Sequence, residues 1–479
     1  MSSREENHMR RGEKDRVVKI GYMPLAHDTY WKFFPKHLDN AVLWAKKHAE
    51  YLSQFGTVYE TGTLVDCQDR SREARLYFQQ ADVDVLVLAT ITYSTPDDVV
   101  LDLKRFPRPT IVWNTQVSPE IPSDLDFDKW MMEHGVTGVP GLTNVLGREQ
   151  IPYFLISGHH TNDRVQERFS IVIDAVRAFK ALWGSRIGIF GHLYPGMIDF
   201  GYDPADLYVT FGVDTVNILD SRVVEAFKAV EPGEAENLEE ELCSAYSAAG
   251  DFEGEELSRS ARLAVAMKNV AEELKLDAAT VYCQSMWQNS EIGVVCCIGN
   301  SLLAQEGVFF TCEGDIPTAV CGLVFNSLAG GKGIFTEIWA NDFDHDCFMM
   351  GHSGMMNLSL FQDNPGTVKL VRHPWWTGCH GHGACLELQM PPGRVTLMGL
   401  CPTREGKWRM VVTTGNVTER PAVPLGAPNF FLKLDRPIVE WFEDFATTEA
   451  AHHLAMAYGD WTPQLKALAE LFKAEYRFV

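Results

Sequence analysis

Positive charge is scarce in this 479-residue chain: 42 Lys and Arg stand against 64 Asp and Glu, a net charge of −22. A surface of that sign repels phosphates rather than neutralising them, so nucleic acid and anionic membrane surfaces are excluded as partners. No apolar run approaches the ~20 residues a membrane helix needs. The opening MSSREENHMRRGEKDR lacks the apolar segment of a secretory signal. We expect residues 1–16 to form a flexible tail and the protein to be cytoplasmic. Neither a Gly-x-Gly-x-x-Gly turn, a P-loop nor a Gly-x-Ser-x-Gly elbow occurs, which leaves dinucleotide binding and the chemistries of those motifs without support. There is no internal repeat and no low-complexity segment. The eleven cysteines are scattered, with Cys296 and Cys297 adjacent in an apolar run. That pattern fits reduced, buried thiols rather than a disulfide framework.

The chain is too long for one ordinary core, and two or three domains are expected. From 17 to 184, apolar runs alternate with helical stretches: strands at 17–23, 57–65, 83–89 and 110–113, helices at 38–52, 70–80, 97–105 and 164–183. Near-continuous apolar strands between helices indicate a parallel sheet covered on both faces. The segment after the fourth strand, about 114–141, reads as a long polar loop. A second α/β run follows from 185 to 332, with strand RIGIFG at 186–191 and further strands near 279–284 and 308–312. Pro317 suits the first turn of the next helix. After Gly333 the texture changes to short β runs divided by Pro and Gly, so 333–479 reads as a β-rich domain with terminal helices. A helical stretch at 438–451 carries His452 and His453. On adjacent helical positions, about 100° apart, only one of these would face a given site.

The stretch 311–352 concentrates the chemistry. Glu313 and Glu337 each interrupt apolar or small-residue surroundings, where an unpaired carboxylate costs several kcal/mol. His352 follows in Met-Met-Gly-His-Ser-Gly. Two carboxylates and an imidazole suit Mn²⁺, Mg²⁺, Fe²⁺ or Zn²⁺, with a fourth ligand available from Ala-Ala-His-His-Leu at 450–454. The bland alternatives are two surface glutamates, a hydrogen-bonded core histidine and histidines placed at a helix end. Cys379-His380-Gly381-His382 with Cys385 resembles a soft-metal cluster, but so short a span strains a zinc site, and a Gly-rich active-site loop is favoured. The acidic loop at Asp342, Asp344, His345 and Asp346 lacks the pattern of an EF-hand and reads as mostly solvated, with a supporting role at the site open to it.

Four segments resemble the L-arabinose isomerase and L-fucose isomerase superfamily. AQEGVFFTCEGDIPTAVCGL is similar to that family's first metal-glutamate segment, IFTEIW to its Phe-Met-Glu-Asp-Tyr, MMGHSGMM to its Gly-x-His-Met, and EAAHHLAMAYGD to its late His-His motif. NTQVSPEIPSDLDFDKWMMEHG resembles its His-Thr-Gln-Phe-Asn loop. The resemblance implies two Rossmann-like α/β domains followed by a β-rich C-terminal domain. It implies metal ligands at Glu313, Glu337, His352 and His453, the two glutamates serving also as acid and base. Mn²⁺ is the expected ion, with Mg²⁺, Fe²⁺ and Co²⁺ as alternatives. Gln116 and His134 would reach the substrate of a neighbouring subunit in a homo-oligomer, a trimer or hexamer, and Met197 and Trp287 would be apolar wall residues. GYMPLAHDTYW departs from the family's Ser-Gln-His-Leu-Tyr-Gly, and Trp287 replaces a phenylalanine, so arabinose itself is not implied.

The expected activity is aldose–ketose isomerisation through a cis-enediol intermediate. Such a reaction moves one proton between adjacent carbons and another between their oxygens, which two carboxylates beside a Lewis-acidic cation can accomplish. The competing readings are a divalent-metal hydrolase or lyase on a sugar-like substrate, and a non-catalytic sugar-binding protein.

Overall fold

The computed structural model describes residues 17–121, 123–248, 252, 255–374 and 382–479. The tail expected over 1–16, together with Cys379, His380 and Gly381, lies outside them. Contacts divide the chain into two compact units, Met1–Lys180 and Ala181–Val479.

The first unit is built on a five-stranded sheet. Its elements are β1 (Lys19–Leu25), α1 (Asp28–Phe33), α2 (Leu38–Leu52), β2 (Thr57–Tyr59), α3 (Gln68–Ala81), β3 (Val85–Thr90), α4 (Val100–Arg105), β4 (Thr110–Asn114), α5 (Phe127–Glu133), α6 (Gly138–Arg148), β5 (Phe154–Ser157) and α7 (Asp163–Leu182). The strand order is β2-β1-β3-β4-β5, all parallel. Every residue of β3 is buried, as its unbroken Val-Leu-Val-Leu-Ala run requires of a strand covered on both faces. Three expectations are corrected here. The polar stretch after β4 folds into α5 and α6 rather than a loop, a fifth strand follows, and β2 spans three residues rather than nine.

The second unit opens with another α/β run: β6 (Arg186–Phe190), α8 (Pro204–Phe211), β7 (Asp214–Ile218), α9 (Asp220–Ala229), α10 (Pro232–Ala245), β8 (Ser247–Ala248), α11 (Glu256–Leu274), β9 (Ala278–Val281), α12 (Cys283–Gln288), α13 (Cys297–Gln305), β10 (Phe309–Cys312) and α14 (Ile316–Leu328). β10, β9, β6 and β7 lie side by side as a parallel sheet. β6 falls where strand RIGIFG is expected, and β7 has no counterpart in the sequence reading.

Beyond Gly333 come β11 (Ile334–Asp342), β12 (Cys347–Gly351), β13 (Val368–Arg372), β14 (Ala384–Leu388), β15 (Gly393–Pro402), β16 (Trp408–Val417), β17 (Asn429–Leu434), α15 (Ile438–Ala446), β18 (His453–Tyr458), α16 (Thr462–Phe472) and β19 (Glu475–Phe478). The order β15-β18-β11-β12-β17-β16, with β16 pairing back to β15, closes an antiparallel barrel. Closure removes the exposed strand edges that an open sheet would carry. Alternate residues fill one side of the wall: Ile334, Phe348, Met350, Val395, Leu397, Phe430, Leu432, Leu454 and Met456 belong to one apolar cluster. The intervening residues, including Glu337 and His453, take the other face by the two-residue period of a strand.

α14 joins the two halves of this unit. It touches β9 and β10 of the parallel sheet and β11, β15 and β18 of the barrel. Almost all its residues are buried, which is why IPTAVCGLVFNSL has no polar face to speak of. Pro317 sits in its first turn and Asp315 caps it, Oδ1 accepting from Thr318 N at 2.9 Å. Cys321, Cys347, Cys385 and Cys401 are buried thiols. Among the described residues, no helix is long and apolar enough to cross a membrane.

Candidate metal centre

Glu313 stands one residue past β10, at the carboxyl end of the parallel sheet, where such sheets bind ligands. Its backbone is held in the left-handed region, φ 68°, which a non-glycine residue adopts at a cost of about 1–2 kcal/mol. Two hydrogen bonds pin it there: Glu313 N donates to Val281 O at 2.6 Å, and Tyr194 N donates to Glu313 O at 2.8 Å. Gly314 follows at φ 85°, and a Cβ on it would lie 2.5 Å from Leu193 Cα, so only glycine fits.

Glu337 lies within β11, opposite His453 on one side and Gly351 on the other. Directly paired strand residues on one face bring their side chains into contact. Trp339 Nε1 donates to Glu337 Oε1 at 3.0 Å and fixes the carboxylate's orientation. His352, one residue beyond Gly351, is buried, its ring 4.5 Å from Phe335 and 5.3 Å from His453. His453 Nε2 lies 3.5 Å from Glu313 Oε2 and 3.9 Å from Glu337 Oε2. The structure thus brings Glu313, Glu337, His352 and His453 together from three strand ends and one strand interior.

The donor set fits a divalent cation. Ligand-capable atoms of Glu337, His352 and His453 lie within 4.8 Å of one another, as do those of Glu313, His452 and His453. His453 Nε2 is buried and, among the described residues, has no hydrogen-bond partner. Its Nδ1 lies 3.1 Å from Asp315 Oδ2, and both side chains are fully buried. Carboxylate–imidazole pairing of this kind orients a metal-binding histidine and leaves its other nitrogen aimed at the ion. Burial pushes His453 well below the ordinary histidine range and His352 down to about 4. Both rings are therefore neutral, as ligation requires. Burial also raises the Asp315 carboxyl to about 7.

The remaining candidates make the following contacts. Met197 is half-buried just before the turn Ile198–Phe200, its N donating to Tyr194 O at 3.1 Å. Trp287 packs against the buried residues Val295, Cys297, Val371 and Cys385. That cluster abuts the turn after His352, where a Cβ on Gly354 would meet Cys297 Sγ at 2.6 Å. Gln116 and His134 belong to the first unit. Gln116 Nε2 donates to Ser118 O at 2.7 Å, and the His134 ring lies 4.5 Å from Trp130. His382 contacts Glu256 Oε1 at 3.2 Å while Cys385 Sγ reaches Gly426 O at 3.2 Å, so these two serve different partners.

The acidic loop is mostly exposed, as expected, and its polar contacts run within the barrel domain: Asp342 pairs with Arg420 and His345, and Asp346 Oδ1 accepts from Ile438 N at 2.9 Å. Asp342 lies five positions along the strand from Glu337, roughly 17 Å. One expectation is corrected. His452 and His453 are not helical. α15 ends at Ala446, and His453 begins β18 with His452 in the bend before it. The bend brings the two rings to 4.3 Å, His453 buried and His452 exposed. Sequence reasoning also passed over Asp315, Asp199 and Phe200. Asp315 was visible as a capping residue two positions before Pro317; Asp199 and Phe200 carry no local signal.

No protein-family model matches the chain. A sulfoquinovose isomerase from Alkalicoccus urumqiensis is 24% identical over 465 residues, 95% of this chain and 98% of that protein. Another sulfoquinovose isomerase, from Priestia aryabhattai, is 23% identical over 463 residues, 95% and 97% of the two chains. An L-arabinose isomerase from Lactiplantibacillus plantarum is 22% identical over 399 residues, 79% of this chain and 81% of that protein.

Proposed function

We propose that the chain belongs to the L-arabinose and L-fucose isomerase superfamily as a sugar aldose–ketose isomerase, and that it is a metal-dependent enzyme acting on a sulfonated aldose such as sulfoquinovose. The observation that carries the metal reading is the buried Nε2 of His453, which has no hydrogen-bond partner among the described residues and lies between two glutamates and a second neutral imidazole. The substrate reading is supported by the relatives that align over almost the whole chain and are named for sulfoquinovose.

Glu313, Glu337, His352 and His453 would hold the cation, with Mn²⁺ as the ion we favour. When bound, it would polarise the two vicinal oxygens of the substrate and stabilise the negative charge that grows on them. Glu313 and Glu337 act as the acid/base pair: one carboxylate takes the proton from the carbon next to the carbonyl, and a proton returns to the neighbouring carbon after the cis-enediol forms. Trp339 holds Glu337 in place for that transfer. Asp315 holds His453 in the tautomer that keeps Nε2 available. Met197 and Trp287 are assigned to the apolar wall of the substrate site. Gln116 and His134 are assigned to the substrate of a neighbouring subunit, which makes the functional form a homo-oligomer, a trimer or hexamer, in the cytoplasm.

The test is isomerisation across a panel of aldoses and ketoses, sulfonated and phosphorylated sugars included, by metal-stripped protein with Mn²⁺ added back. Metal-dependent interconversion of sulfoquinovose with its ketose supports the proposal. Turnover of another sugar pair alone would overturn the substrate, and no turnover with metal bound would point to hydrolase or lyase chemistry.

A further inference from the structure

The turn Ile198–Phe200, in the connection after β6, grips both histidines at 452 and 453. Asp199 Oδ2 lies 2.8 Å from His452 Nδ1. Phe200 is buried; its ring stacks on His453 at 4.7 Å and 12° and lies 4.9 Å from that of His452. One residue of the turn thus fixes an imidazole by a hydrogen bond, and the next fixes its neighbour by stacking. The proposed metal chemistry uses His453 and leaves Asp199 and His452 without a task.

Their geometry supplies one. An ionised carboxylate only accepts, so the bond to Asp199 puts a proton on Nδ1 of His452. In a neutral imidazole the other nitrogen is then a bare acceptor. That acceptor, Nε2, lies 4.0 Å from Glu337 Oε2. Two acceptors turned toward one space repel each other unless a donor comes between them. Unlike His352 and His453, His452 is open to solvent, its side chain 43% exposed, so a ligand can reach it. A sugar carries hydroxyl donors, and one O–H beside the reacting carbons would satisfy Nε2 while keeping the substrate against Glu337.

We propose, on the isomerase reading above as regards the ligand, that Asp199 is a positioning residue. It holds His452 as the Nδ1–H tautomer, so that Nε2 accepts a hydrogen bond from a substrate hydroxyl next to Glu337. Such outer-shell acids change affinity or activity by about 10–100-fold when removed. The tautomer depends on Asp199 and not on the identity of the sugar.

Two measurements test this. The first is ¹⁵N NMR of histidine-labelled, Mg²⁺-loaded protein at pH 8, with the His452 resonances assigned by their loss in His452→Gln. Wild type is expected to show Nδ1–H at His452, and Asp199→Ala to shift the ring toward Nε2–H. The second combines sulfoquinovose kinetics with Mn²⁺ and calorimetry of 6-deoxy-6-sulfo-D-glucitol, the reduced and unreactive form of that sugar. Asp199→Ala is expected to raise KM and the glucitol Kd about 10-fold or more with bound metal unchanged. His452→Gln, whose amide oxygen can stand near the position of Nε2, should keep more activity than His452→Ala. An Nε2–H or doubly protonated His452 in wild type would overturn the proposal. So would an unchanged KM and Kd in Asp199→Ala, or loss of bound metal in that variant. If no ketose forms while glucitol binding still depends on Asp199, the isomerase reading fails and the role of Asp199 stands.

Discussion

Asp315 and His453 meet across 3.1 Å with neither side chain exposed, and the same carboxylate caps the helix that joins the parallel sheet to the barrel. Orientation of the metal-binding ring and the start of α14 therefore share one residue. Asp315→Asn keeps an oxygen for the cap but leaves His453 an inferior partner. We expect metal affinity to fall about 10–100-fold while thermal stability of the metal-free protein changes little. Asp315→Ala should lose the same affinity and in addition about 1 kcal/mol of stability through the missing cap. Metal titration and urea unfolding of the stripped variants separate the two effects. Equal affinity in all three proteins would contradict the assignment.

Glu313 occupies a backbone conformation suited to glycine, and its carboxylate sits beside the His453 ring. Glu313→Gly should remove that strain and stabilise the metal-free protein by about 1 kcal/mol, while abolishing turnover. A melting curve and a rate measurement on one preparation check both halves. A destabilised Glu313→Gly would mean the strain is offset by contacts of the side chain.

Glu337→Gln keeps an oxygen for Trp339 to donate to, so the barrel should fold as before. Turnover should drop by at least about 10²-fold, the usual contribution of a positioned acid or base. The pH–rate profile should lose one limb. An unchanged profile would remove Glu337 from the acid/base pair.

In the first unit, burial holds His48 down to about 3, so it is neutral in the native state. The unfolded chain takes up that proton below its own pKa near 6.5, so the contribution is intact above pH 6.5 and is lost as pH falls toward 3. Between pH 7.5 and 5.0 this one site should cost about 2 kcal/mol. Urea unfolding of wild type and His48→Gln at the two pH values should show the difference shrinking by that amount in the variant. An identical pH dependence would place His48 in solvent.

Much of this architecture is legible locally, for reasons that particular residues make plain. α2 carries Ala41, Ala45, Ala49 and Leu52 on a buried stripe at helical spacing, and its ends coincide with those read from the sequence. β7, Asp214–Ile218, escaped notice because only its last residue is buried. Gly138, Pro140, Gly141 and Gly147 disguised α6 as a loop. The His452–His453 run misled for the opposite reason. Ala-rich flanks favour a helix, but pairing of His453 with Glu337 and of Ala455 with Met398 makes it a central strand of the barrel. Glu313, Glu337 and His352 could be named from the residues themselves, whereas the choice of His453 over His452 comes only through the family resemblance. Asp199 and Phe200 could not be named, since their meaning exists only where the turn Ile198–Phe200 meets the start of β18.

The most direct measurement is the conversion of sulfoquinovose by metal-stripped protein in D₂O, before and after Mn²⁺ is restored, followed by proton NMR. Ketose should appear only with the metal, and solvent deuterium should enter one of the two reacting carbons, as an enediol pathway through a solvent-exchanging glutamate requires. Ketose formed at the same rate without any metal, or no ketose with the metal demonstrably bound, would contradict a metal-dependent isomerase built on Glu313, Glu337, His352 and His453.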